Sequence, residues 1–91
     1  MDIPQTKPRV IMYTTPSCVY CKMAKEFFAK NNISYEEKNV VTDAAARNEM
    51  ITRSGQMGVP VIQVAPMEEG APPVIIIGFD QGRLKEALGI Q

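Results

Sequence analysis

Val10-Ile11-Met12-Tyr13-Thr14-Thr15-Pro16-Ser17-Cys18-Val19-Tyr20-Cys21-Lys22 carries most of the information in this sequence. A short apolar, β-type run ends in a Thr/Pro/Ser turn, and a helical pattern then opens on two cysteines. They are the only cysteines of the 91 residues, and two residues separate them. With a helix beginning near Ser17, Cys18 falls in its first turn and Cys21 one turn further in. Residues three apart on a helix are neighbours, close enough for the geometry a disulfide demands. The two positions differ. Cys18 would lie among unpaired backbone N–H groups at the positive end of the helix dipole, which stabilise a thiolate. Such placement lowers a cysteine pKa from about 8.5 towards roughly 3.5–7.5. Lys22, one turn on, adds to that field when its side chain folds back. Cys21 has entered the hydrogen-bonded helix, which predicts a more buried and less ionised thiol. One thiol is placed to attack, the other to resolve.

Two plainer explanations compete. A Cys-x-x-Cys can be half of a zinc site, but tetrahedral zinc wants four ligands, and the chain has no histidine and no third cysteine. A metal site within one chain is therefore not expected. The pair could also be buried structural cysteines, against which stands its place just after a strand and turn, at a helix start. A redox pair beside a βαβ pattern is the favoured reading.

Composition narrows the function classes. Ten basic residues balance ten acidic ones with no basic block, so nothing points to nucleic acid. No apolar run is long enough for a membrane span. The first eight residues carry two prolines and mostly polar side chains, which read as a loose lead-in and lack the apolar stretch of a signal peptide. The expectation is one domain over residues 1–91, cytoplasmic and monomeric, where a Cys-x-x-Cys cycles rather than persisting as a bridge.

In chain order, Val10–Thr14 is a strand buried on both faces. From Val19 to about Asn31 the period is helical, with Met23, Ala24, Phe27 and Phe28 on the inner face. Ile33–Val41 has a polar centre and is assigned to an edge strand. Thr42-Asp43 caps a second helix from Ala44 to about Ser54, closed by Gly55, with Ala46, Met50 and Ile51 towards the sheet. Pro60–Val64 is a strand opened by proline. Residues 65–73 hold three prolines and read as an exposed turn. Val74–Ile77 is apolar throughout and expected to be buried. Asp80 caps a last helix with Leu84, Ala87 and Leu88 inward, ended by Gly89. The order β-α-β-α-β-β-α is α/β, a four-stranded mixed sheet flanked by three helices. The first two strands should be parallel and the last two an antiparallel hairpin.

Three motifs in this order, Thr15-Pro16-Ser17-Cys18-Val19-Tyr20-Cys21-Lys22, Gly58-Val59-Pro60-Val61-Ile62 and Gly78-Phe79-Asp80, resemble the glutaredoxin branch of the thioredoxin fold, and most of all its small YruB-type members. The resemblance implies a dithiol oxidoreductase that reduces protein or glutathione mixed disulfides, with Cys18 the nucleophile, Cys21 the resolving thiol and Lys22 tuning the first. It implies a cis Val59–Pro60 peptide whose backbone lies beside Cys18. It also implies that Gly78, Phe79, Asp80 and Gln81 form the turn holding a glutathione carboxylate, with Tyr20 and Arg47 as further contacts. No cofactor is implied; glutathione is the co-substrate, and glutathione or a flavoprotein reductase restores the thiols. The sequence departs from the family at Thr15 and Met57, where basic residues are usual, and at Val19, where proline is usual. The first two departures predict weak glutathione binding. Two other functions fit the same residues: an iron–sulfur scaffold dimer built on Cys18, and a redoxin served by thioredoxin reductase. A non-catalytic interaction module would keep the fold without an activated thiol.

Overall fold

A computed structural model describes residues 9–65 and 72–90. Four strands and three helices alternate as β1 (Arg9–Thr14), α1 (Val19–Lys30), β2 (Glu36–Asn39), α2 (Ala44–Ser54), β3 (Val61–Ala65), β4 (Val74–Ile77) and α3 (Gln81–Leu88). The sheet order is β2-β1-β3-β4. β1 and β2 run parallel, while β3 is antiparallel to both β1 and β4. This is the expected element order and the expected mixed sheet of the thioredoxin fold.

Alternation along the central strands divides the core, because successive strand side chains point to opposite faces. On one face Val10 and Met12 of β1, Ile62 and Val64 of β3 and Ile76 of β4 meet Ala24, Phe27 and Phe28 of α1 and Leu84 and Leu88 of α3. On the other, Tyr13 and Val61 meet Ala46 and Met50 of α2, with Val40 closing the cluster. The helices end as their residues dictate. Gly55 and Gly89 take left-handed conformations after α2 and α3, and Asp43 and Asp80 cap the starts.

Four expectations need correction. Cys18 is the N-cap of α1 and not a residue of its first turn, while the helix starts at the expected Val19. Met23 does not join the inner face; it is 41% exposed, and the fourth buried position of α1 is Cys21. β2 spans four residues instead of nine, because Glu36 to Asn39 alone find partners on β1. β4 is an edge strand: only Ile76 is fully buried, and Ile77 is 52% exposed. An all-aliphatic run cannot distinguish a central strand from an edge strand whose two faces are each partly covered. Of the expected turn at 65–73, Ala65 belongs to β3, Pro72 and Pro73 are exposed, and 66–71 lie outside the described residues.

Candidate active site

The strand registers bring four connections to one end of the sheet. Tyr13 lies opposite Val61, Val61 opposite Ile77, and Thr14 beside Asn39. The turn after β1, the segment after β2, the loop before β3 and the turn after β4 therefore share that end. Two backbone bonds tie them: Gly78 N–H donates to the Pro60 carbonyl at 2.8 Å, and Val40 N–H to the Thr14 carbonyl at 3.0 Å.

Cys18 occupies this end as a sulfur-bearing cap. Its backbone is extended (φ −82°, ψ 113°), and its Sγ accepts the Cys21 backbone N–H at 3.0 Å. Serine, threonine, aspartate or asparagine ordinarily holds this position, because an acceptor there satisfies an orphan helix donor. The same donor and the helix dipole favour negative charge on whatever atom caps. Cys18 is half-buried and Cys21 fully buried, their Cα atoms are 5.2 Å apart, and their sulfurs are in disulfide contact. Tyr20 is 60% exposed between the two cysteines, and Lys22 is exposed on the first turn of α1.

The loop before β3 supplies the second wall. The Val59–Pro60 peptide is cis, Pro60 is fully buried and Val59 packs partly against the α2-side cluster. A third wall follows β4. Gly78 has φ +82°, a left-handed conformation that suits glycine. Phe79 turns inward and meets the Phe27 ring edge-on at 5.9 Å. Asp80 accepts the Arg83 N–H at 3.1 Å as the cap of α3, and Gln81 opens that helix exposed. The first N–H groups of α3 have no intrahelical partner, and Asp80 takes that of Arg83. Arg47 is exposed on the first turn of α2, whose start follows β2 at the same end. An open groove of about 810 Å³ runs from Gln81 and Phe79 between α1 and α3, and the exposed Met23 is one of its walls.

The sequence gives no sign of two side-chain networks that brace this end. Tyr13, fully buried, donates its hydroxyl to Glu49 at 2.5 Å. Glu49 also accepts Lys38 at 3.0 Å and lies 3.7 Å from Arg53, which donates to Gln63 at 2.7 Å. Burial first, then the bond to Glu49 and its charge, push the Tyr13 phenol up to about 12. The bond from Tyr13, then that from Lys38, holds the Glu49 carboxyl below its ordinary value against a desolvation penalty. In the second network Thr14 donates to Glu37 at 2.8 Å, and Lys25 of α1 pairs with the same carboxylate at 2.6 Å. The Lys25 bond is the main cause of the lowered Glu37 pKa. Apart from Glu49 and Arg53, one turn apart on α2, the partners lie ten to 36 residues apart and leave no local pattern to read.

Among the described residues no group of three or more His, Cys, Asp or Glu is arranged to hold a metal ion, and no helix is long and apolar enough to cross a membrane.

Comparison with known proteins shows the family. The glutaredoxin family model matches residues 10–66. A glutaredoxin-like 8.6 kDa protein of the rubredoxin operon of Clostridium pasteurianum is 36% identical over 77 residues, which cover 85% of this chain and 93% of that protein. Glutaredoxin 3 of Escherichia coli is 42% identical over 53 residues, 58% of this chain and 64% of its own length. Among solved structures, a variant of the thioredoxin-like protein BC3987 superposes with a TM-score of 0.77 at 30% identity, covering 90% of this chain and 96% of that one.

Proposed function

This chain belongs to the glutaredoxin family of thiol–disulfide oxidoreductases, and on that premise we propose that it is a dithiol reductant of protein and glutathione mixed disulfides, with Cys18 as nucleophile and Cys21 as resolving thiol. The observation that carries this reading is the sulfur cap. In the reduced protein the Cys18 thiolate keeps the Cys21 N–H and the α1 dipole as its stabilising partners. Cys21, buried behind it, gains neither.

Cys18 attacks one sulfur of the substrate disulfide. The Cys18–S bond forms as the substrate S–S bond breaks, and the departing thiolate takes up a proton. Cys21 then attacks the Cys18 sulfur, closes the internal disulfide and releases the second thiol. Backbone groups of Val59 beside the cis-Pro60 align the mixed disulfide, and the turn Gly78–Gln81 receives the γ-glutamyl carboxylate of glutathione. Tyr20 covers the bound peptide. Glutathione, or a flavoprotein reductase of the thioredoxin-reductase type, returns the pair to the dithiol.

Side-chain cations for the other glutathione carboxylate are sparse, since Thr15 and Met57 flank the site and Arg47 remains. A charge-assisted hydrogen bond is worth about 1.5–3 kcal/mol, so Arg47→Ala should lower kcat/KM for glutathione-linked reduction by roughly tenfold or more. The test couples the protein to glutathione and glutathione reductase in one assay and to thioredoxin reductase in another. Detectable but weak glutathione turnover that falls in Arg47→Ala supports the reading. Unchanged turnover in Arg47→Ala, with efficient reduction by thioredoxin reductase, would remove glutathione from the mechanism and leave the cysteine chemistry.

A further inference from the structure

Apart from Met23 on α1, the large apolar side chains exposed among the described residues gather at one end of the sheet. Val19 and Tyr20 lie between the two cysteines, Val41 follows β2, Met57 precedes β3 and Ile77 closes β4, all at the end that carries the cysteine pair. The most exposed is Met57, at 68%.

Its exposure is enforced. The Gln56 carboxamide reaches across Met57 and binds both backbone groups of Gly58: Nε2 donates to the Gly58 carbonyl at 3.0 Å, and Gly58 N–H donates to Oε1 at 2.6 Å. Ser54 holds the clasp from behind. Its hydroxyl donates to the Met50 carbonyl at 2.7 Å and accepts from Gln56 Nε2 at 3.3 Å. The loop is thus fixed on both sides of Met57, by this clasp and by the buried Pro60, and the thioether stands out from a rigid base. Methionine fills irregular apolar contacts well because it is unbranched and polarisable. From Gln56 to Pro60 the loop offers an incoming molecule no charged side chain.

We propose that Met57 is a specificity-determining residue, selecting disulfides whose attacked cysteine is flanked by apolar side chains over glutathione disulfide. The inference rests on the thiol–disulfide chemistry proposed for Cys18. A segment joined to Cys18 and extended past Val59 brings its next side chain to Met57, two residues further along the loop. An apolar side chain there is desolvated together with the thioether. Glutathione carries carboxylates on both sides of its cysteine and has no apolar group to offer. Each turnover forms Cys18–Cys21 and passes two electrons to the substrate disulfide, which leaves as two thiols; dithiothreitol restores the pair.

The experiment uses protein reduced with dithiothreitol and desalted, then mixed with three disulfides: a Leu-Cys-Leu peptide dimer, a Ser-Cys-Ser peptide dimer and glutathione disulfide. Acid quench, alkylation and mass spectrometry give the second-order rate constants. The expected result is a Leu-flanked to Ser-flanked rate ratio that falls by about tenfold in Met57→Gln, the scale of one apolar side chain buried, and is restored in Met57→Leu. Gly58→Ala places a Cβ 2.8 Å from Gln56 Oε1 and displaces only that side chain. It should lower the same ratio in the wild-type background and leave it unmoved in the Met57→Gln background. An unchanged ratio in Met57→Gln, or a Met57→Leu ratio as low as that of Met57→Gln, overturns the proposal. Wild-type protein inert towards all three disulfides overturns the thiol–disulfide reading itself.

Discussion

A single atom sets the asymmetry of the site. Cys18 Sγ takes a helix donor that an oxygen usually takes, whereas Cys21 contributes its N–H to that bond and buries its own sulfur. Cys21→Ser should therefore form a stable mixed disulfide with a peptide disulfide, visible as a mass adduct on Cys18, while Cys18→Ser forms none. An adduct on Cys21 in Cys18→Ser would reverse the roles. The asymmetry is legible in the sequence from the spacing and the preceding turn, and only the boundary shifts, by making Cys18 the cap. Met23 shows what spacing does not reveal. Its helical position suits the inner face, but the groove between α1 and α3 leaves it uncovered.

Caps and turns place the remaining parts. Asp80 both starts α3 and closes the turn that follows Gly78. Asp80→Ala should destabilise the protein by about 1 kcal/mol, within the range for lost N-caps, and raise the KM for glutathione. Asp80→Asn, which still caps, should restore the stability; urea titration and steady-state kinetics measure the two effects separately. Elements with strong local signals are those the sequence identifies correctly: α2 and α3 by Asp at one end and Gly at the other, β3 by the proline before it. β2 and β4 are harder. Whether a residue belongs to a strand depends on a partner strand, and Ile33 and Tyr35 reach the core without one, packing against the α1 side from outside the sheet.

At the scale of the molecule, the two carboxylate networks and the buried phenol define a pH window. Glu37 and Glu49 have folded-state pKa values below their ordinary 4.5. They contribute stability above pH 4.5 that is lost as acid drives the pH through the lowered values. Tyr13 acts in the opposite sense. Its phenol, raised from 10.0 to about 12, contributes fully below pH 10 and is lost as the pH climbs towards 12. Denaturant titrations across pH should show a plateau between these limits. Tyr13→Phe should lower the plateau by about 1 kcal/mol, the worth of one hydrogen bond, and flatten the alkaline limb. The two margins of the sheet have a consequence for how copies of the protein meet. β2 presents Glu36, Glu37 and Lys38, charges that discourage pairing with another strand. β4 presents only aliphatic residues, and its protection is brevity: four residues between Pro73 and the left-handed Gly78. Solubility in concentrated solution thus hinges on that proline and that glycine, since a longer β4 would offer neighbouring molecules an uncharged template for fibril-like stacking.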